Sequence, residues 1–250
     1  MSQIAGRLTQ VQDRIAAARV SAGLPNDAVQ LLAVSKTFGP EAVLEAFAAG
    51  QRDFGENYVQ EGVAKRIAVQ QQLDESGGGS LRWHFIGPLQ SNKTKDVAAH
   101  FDWVHSIDRL KIAERLASQR PATLPPLEVC LQVNLDEETT KSGVAPASVE
   151  EIVHALARLA CETGRLRLRG LMAIPAPQNT VEHQRAPFAR LRELLMASKR
   201  TLSTTYPESA VLLNTLSMGM SADLEAAITE SHPACITWVR IGSAIFGQRR

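Results

Sequence analysis

Three stretches of this 250-residue chain carry residue types that can do chemistry together. LLAVSK, residues 31–36, is an apolar run closed by an amine, Lys36. LSMGMSADLEAAI, residues 216–228, offers the hydroxyls of Ser217 and Ser221, with Gly219 between Met218 and Met220, just ahead of a helical pattern. VRIGSAIFG, residues 239–247, adds Arg240, Gly242 and Ser243. Glycine lets backbone N–H groups approach a ligand closely, and a helix N-terminus favours negative charge, so the last two stretches suit a phosphate monoester. Ser221 or Asp223 can cap the helix that follows, with Glu225 in its first turns. A lysine amine suits capture of an aldehyde as an imine, provided burial or a nearby cation such as Arg240 lowers its pKa. Each residue also has a plainer reading. Lys36 alone would be a solvated strand-end charge, His84 on an apolar strand a satisfied core histidine, the run Asp136, Glu137, Glu138 a solvated loop, and Met218 and Met220 packing residues.

The elements that must bring these stretches together follow from periodicity. An amphipathic helix is predicted over about residues 2–22. Strand-like runs then alternate with helical ones: LLAVSK, DFGENY, RWHFIG, WVHSID, LEVCLQVNL, LRGLMAIP, AVLLNTLS and ITWVRIG, eight in all. The runs are short, apolar almost throughout and rich in Val, Ile and Leu, as parallel strands covered on both faces require. Eight strand–helix alternations in about 250 residues predict a single (β/α)8 TIM barrel with an extra N-terminal helix, one domain spanning 1–250. Polar and glycine-bearing residues gather at the C-terminal ends of the strands: Lys36, Glu56 and Asn57, Pro88, Gln90 and Asn92, Asn134, Asp136 and Lys141, then the two segments above. DESGGGS (74–80) and RPATLPPL (120–127) fall on the opposite, helix-to-strand side. Strands one and eight are neighbours in a closed barrel, so Lys36 is predicted to lie beside the phosphate cradle. The ligand class that satisfies both halves is a small aldehyde phosphate, of which pyridoxal 5′-phosphate is the obvious candidate.

Composition narrows the class further. Lys plus Arg is 27 and Asp plus Glu 26, a net charge of +1, which offers no electrostatic footprint for nucleic acid. No stretch approaches the roughly 20 consecutive apolar residues of a membrane span, and the N-terminus lacks a secretory pattern, so a soluble cytoplasmic protein is expected. Cys130, Cys161 and Cys235 are widely spaced in apolar segments and are expected to be buried, reduced thiols, not a disulfide framework or a metal site.

LLAVSKTFGPEAVLEAFAAGQRDFGENYVQE, WHFIGPLQSNKTKDV, VNLDEETTKSGV, RGLMAIP, LSMGMSADLEAAI and VRIGSAIFG together resemble the pyridoxal phosphate homeostasis protein family over residues 4–248. That resemblance implies a barrel similar to the N-terminal domain of alanine racemase, the fold type III of pyridoxal-phosphate proteins, with Lys36 holding the cofactor as a Schiff base. It assigns phosphate contacts to Ser217, Ser221, Gly242 and Ser243, with Met218 and Gly219 in the same motif. It sets Arg240 against the pyridine nitrogen and puts Asn57 and His84 near the ring. One segment departs from the family pattern: TESHPACITW, residues 229–238, is longer than the usual connection and contains Pro233.

An arginine facing the ring nitrogen leaves that nitrogen unprotonated, because guanidinium keeps its proton near neutral pH. The ring is then a weak electron sink. Racemases of similar fold add a tyrosine base from a further domain of a partner subunit, whereas this sequence ends at Arg250 and has only Tyr58 and Tyr206. The resulting expectation is a monomeric carrier or reservoir that supplies cofactor to apo-enzymes without catalytic turnover. The alternatives are an amino-acid racemase or other small-substrate pyridoxal-phosphate enzyme, and a cofactor-free Schiff-base aldolase acting on a sugar phosphate.

Overall fold

The computed structural model describes residues 3–136, 138 and 142–248, and of Ser76 the backbone only; Glu137 and Lys141, named above as polar loop residues, lie outside it. The chain opens with α1 (Gln3–Ser21), then β1 (Val29–Val34), α2 (Pro40–Ala48), β2 (Asp53–Glu56), α3 (Val59–Ser76) and β3 (Arg82–Phe85). It continues with α4 (Thr94–His100), β4 (Trp103–Ile107), α5 (Leu110–Gln119), β5 (Leu127–Gln132), α6 (Val149–Thr163) and β6 (Leu166–Met172). The last third holds α7 (Val181–Thr205), α8 (Pro207–Leu212), β7 (Thr215–Ser217), α9 (Leu224–Thr229), β8 (Ile236–Ile241) and α10 (Ser243–Phe246).

The eight strands are all parallel and close in sequence order into a barrel, β1 pairing with β8 as well as with β2. Their apolar runs are explained by that closure: outward side chains meet the helices and inward ones meet each other, so that apart from the residues near the strand starts, such as Arg82 and Arg167, both faces are buried. α1 buries Ile4, Leu8, Val11 and Ile15, a spacing of four, three and four that keeps one stripe of the helix against the protein. It packs on α9, α10 and α2, and so covers the seam where the barrel closes.

Three local expectations change. The run AVLLNTLS is mostly not strand: Ala210 to Leu212 complete α8, which Pro207 starts at its first turn, and β7 keeps only Thr215–Ser217. β1 stops at Val34, so Lys36 lies two residues past the strand, in a turn. Cys161 is exposed on α6, whose buried face is carried by Val149, Val153, Leu156 and Ala157, while Cys130 and Cys235 are buried. The long connection before β8 is absorbed without a register change in the barrel. Pro233 sits in the turn after α9, and Thr237 and Trp238 enter β8 opposite Val29 and Gln30 of β1.

Candidate functional site

The β1–β8 register is what builds the site. Ala33 pairs with Ile241, so the residues just past each strand, Ser35 and Lys36 on one side and Gly242 and Ser243 on the other, emerge together at the C-terminal mouth. A cavity of about 610 Å3 opens there. Lys36, Asn57, Ser221, Arg240, Gly242 and Ser243 line it, and Phe38, Ile86, Ile174 and Met220 give it apolar walls. Its size and its mixture of apolar wall and a few polar groups fit a small-molecule site.

The anion side is made of backbone as much as of side chains. Gly219 has φ of +86°, a conformation open to glycine, and its carbonyl accepts the N–H of Arg240 at 2.9 Å. This ties the loop after β7 to β8. Asp223 then accepts the N–H of Met220 at 2.6 Å, turning Ser221 and Ala222 to the cavity wall. Gly242 opens α10, and a Cβ there would stand 3.2 Å from the carbonyl oxygen of Val34. A side chain there would have to push the ends of β1 and β8 apart by a few tenths of an ångström.

Arg240 is 5 % exposed and donates from Nη1 to Ser217 Oγ at 2.9 Å and from Nη2 to the Ala173 carbonyl at 2.9 Å. Burial lowers its pKa to about 10, which still leaves it charged at neutral pH. Behind it runs a buried chain of hydrogen bonds: Ser217 Oγ to His105 Nδ1 at 2.6 Å, His105 Nε2 to His84 Nδ1 at 3.0 Å, and His84 Nε2 to Asp53 Oδ1 at 3.0 Å. Arg82 closes the far end on Asp53 at 2.6 Å. Guanidinium only donates, so one assignment satisfies every member. The Ser217 hydroxyl accepts from Arg240 and donates to His105. His105 donates from Nε2 to His84, and His84 from Nε2 to Asp53. Both imidazoles are neutral in this arrangement. Burial accordingly holds the His105 pKa well below its ordinary value, and lowers that of His84 although the Asp53 carboxylate opposes it. Burial would push the Asp53 carboxyl up, but His84 and Arg82 outweigh it and hold it below its usual range.

The residues singled out in the sequence therefore divide into two groups. Lys36, Asn57, Ser221, Arg240, Gly242 and Ser243 share the cavity. Ser217, Met218, Gly219 and His84 do not line it: Ser217 and His84 belong to the chain behind Arg240, Met218 is wholly buried in the core, and Gly219 shapes the loop. Asn57 Oδ1 is buried with no hydrogen-bond partner, an acceptor aimed at nothing the protein itself supplies. Sequence reasoning missed His105, which the pattern WVHSID carried as a polar residue inside a strand buried on both faces. It also missed Lys65, whose helical segment read as an ordinary amphipathic face.

A family model, alanine racemase N-terminal domain, matches residues 7–250. A Pseudomonas aeruginosa protein named pyridoxal phosphate homeostasis protein is 53 % identical over 249 residues, covering 100 % of this chain and 97 % of its own. The solved structure of PipY from Synechococcus elongatus, with PLP bound, superposes with a TM-score of 0.78 at 37 % identity, covering 98 % of this chain and 100 % of that one. Alanine racemase from Corynebacterium glutamicum, 16 % identical, shares the fold with a TM-score of 0.56 over 98 % of this chain and 61 % of its own.

Proposed function

The chain belongs to the alanine racemase N-terminal domain family, alongside the pyridoxal phosphate homeostasis proteins, and on that premise we propose that it holds pyridoxal 5′-phosphate as a Schiff base on Lys36. It acts as a monomeric cytoplasmic carrier or reservoir that supplies apo-enzymes with vitamin B6 cofactor. The observation that carries this reading is the meeting of Lys36 with Arg240, Ser221, Gly242 and Ser243 on one cavity wall.

The residues present fit the cofactor. Ser221, Gly242 and Ser243 are the phosphate side, Asn57 Oδ1 offers an unsatisfied acceptor, and Phe38, Ile86 and Ile174 give apolar surface for a ring. When bound, the cofactor supplies an aldehyde carbon and a ring whose electron demand depends on its nitrogen. The Lys36 nitrogen bonds to that carbon with loss of one water. Arg240 keeps a full positive charge toward the ring and brings no proton to release. That favours holding over carbanion chemistry, because a strong electron sink needs a protonated ring nitrogen. Tyr58, 55 % exposed, and Tyr206, packed against His154 on the helical layer, both lie off the cavity wall that carries Lys36. Among the described residues no helix is long and apolar enough to cross a membrane.

Borohydride reduction of protein loaded with pyridoxal 5′-phosphate, followed by peptide mapping, tests the assignment. The expected label is on Lys36, with the near-visible imine band lost in Lys36→Ala. A label on any other lysine sinks the reading. Sustained turnover of L- or D-amino acids by the loaded protein would replace the carrier with an enzyme.

A further inference from the structure

A buried ammonium and two carboxylates, none of them on the cavity wall, hold the backbone on both sides of Lys36. Lys65 is 4 % exposed and lies on α3 one helical turn after Glu61, so both side chains reach the turn that follows β1. Its Nζ donates three hydrogen bonds, one for each ammonium proton: to the Ser35 carbonyl at 2.8 Å, Glu56 Oε1 at 2.6 Å and Glu61 Oε1 at 3.0 Å. The same Glu56 oxygen accepts the Ser35 hydroxyl at 2.6 Å. The same Glu61 oxygen accepts the Thr37 N–H at 2.5 Å. Ser35 is thus held by its carbonyl and its hydroxyl, Thr37 by its N–H, and Lys36 sits between them.

The turn so held is not one that local preference selects. Thr37 has φ of +70°, the left-handed region that β-branched residues avoid, and such a conformation persists where its surroundings over-determine it. Nor is fold stability a sufficient reason for the cluster. Desolvation offsets most of the attraction in an ion pair this deeply buried, and burial pushes the Glu56 carboxyl up even with Lys65 beside it. What three charged groups with shared acceptors do secure is a backbone geometry.

We propose that Lys65, acting through Glu56 and Glu61, is a positioning residue for Lys36: it fixes the chain on both sides of that lysine so that its amine faces the cavity in one orientation before an aldehyde arrives. The inference rests on the reading of Lys36 as the imine-forming amine. An amine already aimed reacts faster; one that must search for its approach loses rate while the rest of the cavity binds as before.

The test compares two ligands on the full chain freed of bound cofactor. Pyridoxal 5′-phosphate can form the imine; pyridoxamine 5′-phosphate has the same ring and phosphate but no aldehyde. Imine formation is followed by stopped-flow absorbance, and binding of the amine form by calorimetry. Lys65→Met is expected to form the imine about tenfold more slowly or worse, and Glu61→Gln about threefold more slowly, both binding pyridoxamine 5′-phosphate within about twofold of wild type. Imine formation at the wild-type rate in Lys65→Met overturns the proposal. So does a parallel loss for both ligands, which would mark general damage to the cavity. If Lys65→Met does not fold, Glu61→Gln decides by the same two criteria. A wild-type protein that forms no imine, or one whose imine survives in Lys36→Ala, removes the parent reading and this one together, and the wild-type control tells that failure apart.

Discussion

The barrel has a depression at each end, about 610 Å3 at the C-terminal mouth and about 450 Å3 at the N-terminal end, and size alone does not say which one binds a ligand. The N-terminal depression is the more highly charged. Arg82, Arg120, Arg169, Asp102 and Glu128 line it with Trp103 and Trp238. Its charges are turned inward to the protein, however. Arg82 pairs with Asp53 at 2.6 Å, and Arg120 donates to the carbonyls of Ala98 and Phe101 at 2.7 Å and of Pro125 at 2.8 Å. Asp102 accepts the Trp83 N–H at 2.8 Å, and Arg169 is bonded through both terminal nitrogens to Glu128 and Asn214, leaving its Nε unsatisfied. These are fasteners for strand starts and loop carbonyls. At the mouth the wall is instead glycine backbone and hydroxyls with, among the described residues, one amine, one arginine and the amide of Asn57. What separates a site from a fastening is where polar groups are aimed, not how many there are.

That contrast can be broken experimentally, and the largest effect is expected at the N-terminal end. Arg120→Met leaves three carbonyls without their donor and should cost about 3 kcal/mol in denaturant unfolding, with cofactor uptake by the folded protein unchanged. Loss of uptake at intact stability would show that this end does bind something the mouth depends on. At the mouth, Gly242→Val forces side-chain atoms against the Val34 carbonyl and into the cradle. Overpacking of about 1–3 kcal/mol, borne by the bound state, corresponds to roughly five- to 150-fold weaker binding of pyridoxal 5′-phosphate, measured by equilibrium titration.

The chain behind Arg240 joins the two ends and should respond to pH. His105 and His84 titrate lower in the folded protein than the ordinary 6.5, so the unfolded chain binds more protons as pH falls below that value. Their contribution to stability is present above 6.5 and is lost as pH falls toward their folded pKa values. Glu56, raised above 4.5 by burial, acts in the opposite sense, which makes the difference between wild type and His105→Asn the informative quantity. The variant should show a flatter dependence of melting temperature on pH between about 6.5 and 5. The smallest effect is expected from Ser221→Ala. One hydroxyl at the cradle is worth about 0.5–1.5 kcal/mol, or some two- to tenfold in affinity by the same titration, without change in stability.

Much of this arrangement was legible before any coordinates. Eight short apolar runs alternating with helical patterns imply closure, and closure makes strands one and eight neighbours; the observed Ala33–Ile241 pairing is that inference in residues. Gly242 and Ser243 were recognisable because a glycine and a hydroxyl after the last strand have few other uses. The run AVLLNTLS was misread because an apolar stretch of this length suits a buried strand or a buried helix equally; Pro207, three residues before it, starts a helix that takes in its first half. Ser217 was placed by its motif among the anion contacts, yet its hydroxyl is committed to Arg240 and His105. Along a strand, neighbouring side chains point to opposite faces, and a motif does not say which hydroxyl faces the ligand.

Periodicity and the chemistry of a few side chains were enough to determine the barrel, and to foresee that Lys36 and the glycine and hydroxyl after the last strand meet at one end of it. Those properties depend on local order along the chain, on repeat length, strand polarity and residue type. Packing alone decided that Lys65 grips the chain beside Lys36, that His84 and His105 transmit a hydrogen-bond direction from Asp53 to Arg240, and that the arginines at the opposite end are fasteners. The bonds that settle them join distant parts of the chain, Lys65 to Ser35 across 30 positions, His84 to His105 across 21 and His105 to Ser217 across 112, and are fixed by how helices and strands settle against one another.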